Sequence, residues 1–101
     1  MAYLGEAIDA HLVRALGDDP ELRRELRRAF LDSALAALDL MQRARCDANW
    51  RQAAERLKGL AATFHGDELI TLADEAIAGV PGDPAIVRRI RRLLDEIDPA
   101  A

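Results

Sequence analysis

The chain has 101 residues, half of them hydrophobic but few of them aromatic, and a formal net charge of −4 at pH 7. This length fits one domain, and the shortage of β-branched and aromatic residues favours helices over a sheet. The acidic balance argues against a nucleic-acid-binding protein, and no apolar run approaches the roughly 18 residues that a membrane span needs.

The first two predicted helices are separated by a short break. The first covers residues 4–16, and Gly17 opens the break. At its end Asp19 is suited to cap a helix, and Pro20 is suited to the first helical position, where the missing N–H of proline is not needed. The second helix is therefore expected from Pro20 to about Cys46. The inward positions are Ile8, Leu12 and Leu16 in the first helix and Leu22, Leu26, Ala29, Phe30, Ala34, Ala37, Leu38 and Met41 in the second.

A group of arginines lies in the early part of the second helix: Arg23, Arg24, Arg27 and Arg28. Glu21 and Glu25 stand three residues before Arg24 and Arg28, a spacing at which opposite charges on a helix pair weakly. We interpret the group as a solvated charged face rather than as a basic docking patch.

The third predicted helix, between Asp47 and Gly66, is the centre of the pattern. Asp47 is suited to be its N-cap, and Gly66 is suited to the left-handed conformation that ends many helices. Apolar residues recur in it at three- and four-residue intervals, so they share one inward face. These residues are Trp50, Ala53, Ala54, Leu57, Leu60, Ala61 and Phe64.

The outward side of this helix is unusual. It carries Glu55 and then, at successive turns, Gly59 and Ala62, three residues that we name the outer strip. Glycine inside a helix costs about 1 kcal/mol relative to alanine, so Gly59 needs an explanation. Either a neighbouring helix comes close at Gly59, or a partner protein approaches the backbone beside Glu55. The second interpretation predicts a docking surface formed by Arg51, Gln52, Glu55, Lys58, Gly59 and Ala62.

Two further helices complete the predicted fold. Asp67 is suited to cap a helix over residues 68–78, and Asp83 with Pro84 can start a last helix that runs to about Ile97, before Pro99. Their inward positions are Leu69, Leu72, Ala73, Ala76 and Ile77 in the fourth helix and Ile86, Ile90, Leu93, Leu94 and Ile97 in the fifth. Short connections between amphipathic helices predict an all-α antiparallel four-helix bundle with an additional short N-terminal helix, in a single domain over residues 1–101.

The run Ala54-Glu55-Arg56-Leu57-Lys58-Gly59 resembles the signature of histidine phosphotransfer (HPt) domains, which is Ala-His-x-Leu-Lys-Gly. Trp50 and Phe64 on the same helix and Leu69-x-x-Leu72 downstream are also similar to that family, so the resemblance covers nearly the whole chain. It implies the four-helix bundle of the family. It also implies docking on the receiver domain of a response regulator or on a sensor histidine kinase.

The resemblance departs from the family at the position that carries its chemistry. The phosphoacceptor histidine of the motif falls on Glu55, and His65 stands where the family usually has a glycine. The positions that match the lysine and the glycine of the motif are kept as Lys58 and Gly59. In the family the lysine helps to screen the phosphoryl charge, and the glycine leaves room for the partner.

Catalytic chemistry has little support in these residues. Ser33 is the single serine, and Cys46, His11 and His65 have no chemical partner near them in the sequence, so we expect no catalytic residues and no enzyme. Two isolated histidines and one cysteine do not make a metal site, and no glycine-rich phosphate loop is present, so we expect no metal and no cofactor. A single cysteine and the absence of a secretory signal favour a cytoplasmic protein, which we expect to be a monomer.

Three functional hypotheses remain open. The first is an HPt-like, pseudo-phosphotransfer protein that docks receiver or kinase domains without relaying phosphate through position 55, as a competitor or as a negatively charged mimic of the phosphorylated state. The second is a genuine phosphorelay protein that uses another residue or whose acceptor histidine was substituted. The third is a helical interaction module unrelated to phosphorelay. For all three, Glu55 is expected to be exposed and to pair weakly with Lys58 or Arg51 on its own helix.

Overall fold

A computed structural model describes residues 4–97 and folds them into helices joined by short connections. In chain order the helices are α1 (Leu4–Leu16), α2 (Pro20–Arg43), α3 (Asp47–Thr63), α4 (Asp67–Ala78) and α5 (Pro84–Asp95). No strand occurs between residues 4 and 97, so the all-α prediction is confirmed for this part of the chain. None of these helices combines the length and the apolar character that a membrane span needs.

Two helices begin as their sequences predict. The side chain of Asp19 accepts a hydrogen bond from the backbone N–H of Leu22 at 3.1 Å, and Asp83 accepts one from Ala85 at 2.9 Å. Each aspartate is followed by a proline at the start of its helix. The carboxylate satisfies one of the backbone N–H groups that a helix start leaves unpaired, and proline removes another.

Other predicted boundaries were wrong. Cys46 and Gly66 occupy the N-cap positions of α3 and α4, and neither predicted cap, Asp47 nor Asp67, makes a capping hydrogen bond. Both aspartates lie in the first turn instead, where a carboxylate is stabilised by the positive end of the helix dipole. At the other ends, α2 stops at Arg43 before the predicted Cys46 and α5 stops at Asp95 before Ile97, while Pro99 lies outside the described residues.

The end of α3 differs from the prediction in an informative way. His65, not Gly66, takes the left-handed conformation, with φ of 58°, whereas Gly66 has φ of −85°. The N–H of His65 donates to the carbonyl of Ala62 at 3.2 Å, and the N–H of Gly66 donates to that of Ala61 at 2.8 Å, which is the hydrogen-bond pattern of a Schellman motif. Space is limited at Gly66: a Cβ there would lie 2.8 Å from Cδ1 of Leu4 in α1, so this buried side chain would have to shift.

The helices share one apolar core. α2 and α4 each contact both α3 and α5, and α1 contacts α2 and α4. No polar or charged residue in the described part of the chain is buried. The largest side chains that are almost completely buried are Phe30, Leu4, Ile8, Leu38, Met41, Leu57, Leu69, Ile90 and Leu94.

Several predicted inward positions are less buried than expected. Leu22 and Ala29 of α2 are exposed, whereas Leu31, which the prediction omitted, is buried. The buried face of α2 is therefore rotated from Phe30 towards Leu31, because Ala29 and Leu31 point to opposite sides of Phe30. Leu16, Leu26, Leu60, Phe64, Leu72 and Ile77 pack against the core but remain half-buried.

Candidate docking surface

The inner face of α3 fixes the orientation of the helix. Trp50 is buried at 3% exposure, and its indole N–H donates to the backbone carbonyl of Ala76 in α4 at 3.0 Å. Ala54, Leu57 and Ala61 are buried along the same face. Because these contacts fix the rotation of α3 about its axis, they also determine which residues point outwards.

The outer strip is exposed as the helical spacing predicts. Glu55, Gly59 and Ala62 all face solvent. A Cβ atom placed on Gly59 would meet nothing within 4 Å outside the backbone of its own helix. No neighbouring helix in the described part of the chain therefore needs the space at Gly59, and this result removes the first of the two explanations for the glycine. The flanking side chains of Arg51, Gln52 and Lys58 are exposed as well.

Lys58 has a different partner from the predicted one. Its Nζ lies 2.8 Å from a carboxylate oxygen of Asp74 in α4, so it pairs across helices rather than with Glu55. Within residues 4–97 neither Lys58 nor Arg51 forms an ion pair with Glu55, and that prediction was wrong. The cause is the tight packing of α3 on α4, which brings Asp74 within reach of the lysine from the side. Glu55 is left with its charge directed to solvent.

A groove of about 750 Å³ lies beside Glu55, between the end of α2 and the start of α3. Its lining residues are Leu40, Arg43, Ala44, Asn49, Gln52, Ala53, Glu55 and Arg56. Sequence reasoning found Gln52 and Glu55 but missed Leu40, Arg43 and Arg56. Leu40 did give a signal in the sequence, because it is a large apolar residue off the predicted inward face of α2. In the structure it is 40% exposed.

The ion pairs of the arginine group also differ from the prediction. Arg23 pairs with Asp18 at 3.5 Å, and Arg27 pairs with Asp9 in α1 at 3.0 Å. Pairs of Glu21 with Arg24 and of Glu25 with Arg28 do not occur in the described structure. Contacts with another helix and with the preceding break therefore replace the expected contacts along the helix.

The two histidines are not isolated, in contrast to the prediction. The imidazole of His11 in α1 stacks on that of His65 at the end of α3, with ring centroids 4.4 Å apart and planes 28° apart. Burial, the nearby His65 and the nearby Arg14 all lower the pKa of His11. The pair is at the end of α3 and not on the outer strip beside Glu55.

The described residues offer no cluster for a metal ion. Between residues 4 and 97, no group of three or more histidine, cysteine, aspartate and glutamate side chains is placed to hold one. Cys46, the single cysteine, is exposed.

Comparison with known proteins adds no further assignment: no protein-family model, no curated protein and no solved structure matches the chain. The function of the protein is therefore inferred from its residues and their geometry.

Proposed function

We propose that this protein is an HPt-like, pseudo-phosphotransfer protein. It docks the receiver domain of a response regulator, or a sensor histidine kinase, through Glu55, Lys58, Gly59 and their neighbours, and it does not relay phosphate through position 55. The observation that carries the proposal is the open space at Gly59, where nothing within the described chain accounts for a helix-interior glycine. An approaching partner accounts for it, because the missing side chain lets another protein reach the helix surface.

The arrangement of the helices supports the same proposal. The contacts of α2 and α4 with both α3 and α5 form a closed circuit, which fits a four-helix bundle with α1 as an addition. In such a bundle one long helix presents one face to the core and the opposite face to a partner. α3 has this division, with Leu57 fully buried and Glu55 exposed.

The charge at position 55 suggests how docking acts. Lys58, a cation about one turn along the helix, is held by Asp74 at 2.8 Å. The carboxylate of Glu55 therefore presents its negative charge to the partner without a paired cation from its own helix. This arrangement favours a mimic of the phosphorylated state over a neutral competitor.

The test is direct binding to a panel of receiver domains and kinase domains, measured by titration calorimetry with wild type and with Gly59→Arg. The new side chain projects into the space that the partner would use, so binding should fall at least about tenfold. The fold should remain, since arginine is favoured over glycine in a helix interior by about 0.5–1 kcal/mol.

The matched control is Ala85→Arg, which adds the same side chain at an exposed position of α5. It should bind like wild type. Binding by folded Gly59→Arg at the wild-type level would place the interface elsewhere. Failure of wild type to bind any receiver or kinase domain would favour a helical interaction module unrelated to phosphorelay.

A further inference from the structure

The stacked pair of His11 and His65 belongs to a small aromatic cluster under α1. The ring of His11 also meets Phe64 edge-on, with centroids 6.2 Å apart, and Phe64 in turn contacts Phe30 at 4.9 Å. His11 is half-buried and His65 is exposed. Water and protons therefore reach the pair directly, although the pair rests on the apolar core.

α1 is attached to the rest of the protein by this cluster, by a buried apolar face and by an ion pair. Leu4, Ile8 and Leu12 supply its buried apolar face. Within residues 4–97, an ion pair joins Asp9 of this helix to Arg27 of α2 at 3.0 Å. Gly17, in the left-handed conformation with φ of 75°, follows directly and separates α1 from α2. This break means that a movement of α1 need not unwind α2.

We propose that the His11–His65 pair is a pH-sensitive switch that holds α1 in place when the His11 imidazole is neutral and releases it when that imidazole takes up a proton. Neutral rings stack favourably at this distance. A proton on His11 is disfavoured by desolvation against the apolar cluster and by repulsion from the nearby His65. Release of α1 relieves both effects.

The surrounding charges do not offset this repulsion. The charged residues within three positions of His11 or His65 in the chain are Asp9, Arg14, Asp67 and Glu68. Arg14 adds to the positive charge, and Asp9 is paired with Arg27. The two carboxylates at the start of α4 are exposed, and neither bonds to an imidazole of the pair in the described structure.

The direction of the pH effect follows from the pKa of His11, which is lower with α1 in place than the ordinary value of 6.5. The released state therefore binds more protons than the docked state, and docking strengthens as pH rises. Docking is complete above the ordinary pKa of 6.5 and weakens as pH falls through 6.5 towards the lowered value.

The experiment is amide hydrogen exchange of the full chain at about pH 8 and about pH 5, with rates corrected for the intrinsic effect of pH. The amides of α1 should lose protection at the lower pH. Their exchange rates should rise by up to about tenfold for each pH unit by which docking lowers the pKa of His11. The amides of α3 and α4 should keep theirs. Equal protection of α1 at the two pH values would overturn the proposal, and so would a loss shared by all helices, because that would be general acid unfolding.

Two variants test the residues. His11→Gln removes the group that titrates, and His65→Asn removes the second ring while keeping a residue that tolerates a positive φ. His11→Gln should abolish the pH dependence of α1, and His65→Asn should weaken it, because burial of His11 remains in that variant. Asp9→Asn is the control, since it weakens docking at both pH values and keeps the dependence. A pH dependence that persists in His11→Gln would assign the switch to other groups and overturn the proposal.

Discussion

On the proposed docking surface, Glu55 occupies the position at which the HPt signature has its histidine. Wild type should accept no phosphate from a phosphorylated receiver, whereas Glu55→His should accept it. The new imidazole points outwards because Ala54 and Leu57 hold this stretch of α3 against the core. An exposed imidazole titrates near pH 6.5, so much of it is neutral and nucleophilic at pH 7. The substitution lies on the surface and should change stability by no more than about 0.5 kcal/mol.

The measurement is acid-labile phosphate on the protein after mixing with a phosphorylated receiver. The double variant Glu55→His/Asp74→Asn should be labelled more strongly, because it frees Lys58 from Asp74 to screen the phosphoryl charge. Labelling of wild type would contradict the pseudo-phosphotransfer proposal, and mapping the label would show whether His65 or His11 carries it. An unlabelled Glu55→His would mean that a histidine at position 55 is not sufficient for phosphate acceptance by this surface.

At the same scale, His65 shows what sequence reasoning could not resolve. Gly66 was predicted to be the left-handed residue because glycine has no Cβ to clash. A Cβ at Gly66 would instead press on the buried side chain of Leu4, which comes from a helix more than sixty residues earlier in the chain. The sequence indicates a special role for a glycine near this position. It does not indicate whether the backbone conformation or the available space accounts for it.

Two glycines of α3 and its C-terminal end allow a matched test of how helices pack. Gly59→Ala should raise the free energy of unfolding by about 0.5–1 kcal/mol, because the added methyl meets open space and alanine favours a helix. Gly66→Ala should lower it by about 1–3 kcal/mol, because the methyl would overlap the buried side chain of Leu4 and push α1 away. Both values come from urea unfolding followed by circular dichroism.

The opposite signs are the essential result, because each variant is the control for the other. If both substitutions stabilised the protein, α1 would not rest on Gly66. If both destabilised it, something would occupy the space beside Gly59, and the argument for a docking partner would lose its main observation.

The first residue of a helix was predictable where a capping side chain accepts a hydrogen bond from a free backbone N–H group. Asp19 and Asp83 each accept a backbone hydrogen bond and precede a proline, so two independent signals coincide. Asp47 and Asp67 gave one signal each, and an aspartate is favoured both at the N-cap and in the first turn. The sequence therefore located these helices but not their first residues.

Across the whole molecule, periodicity identified the buried face of each helix but not which faces meet. Leu57 and Ile90 are fully buried as predicted, since any bundle-like packing buries such positions. The stacking of His11 on His65 and the pairing of Lys58 with Asp74 depend on which helices are neighbours and how they are rotated. For the same reason the outer strip was predictable, whereas the groove that includes Leu40 was not.

The polar contacts between helices set their positions more than they stabilise them. Ion pairs join α1 to α2, α3 to α4 and α4 to α5, and a hydrogen bond from Arg91 to Gln42 joins α5 to α2. None of these ion pairs is buried: Arg27, the least exposed member of the three, keeps 30% of its side-chain surface in solvent. Exposed pairs contribute about 0.2–1 kcal/mol and often nothing measurable. The stability should therefore reside in the apolar core.

The free energy of unfolding should therefore depend only weakly on salt concentration. Raising NaCl from about 0.05 M to about 1 M shortens the screening length to about 3 Å, yet the free energy of unfolding in urea should change by no more than about 1–2 kcal/mol. Asp74→Asn, which removes the pair with Lys58, should cost no more than about 1 kcal/mol. Urea is the right denaturant because guanidinium would itself screen the charges. A larger loss in salt would mean that these pairs act as a network and hold the helices together, with the apolar core in a secondary role.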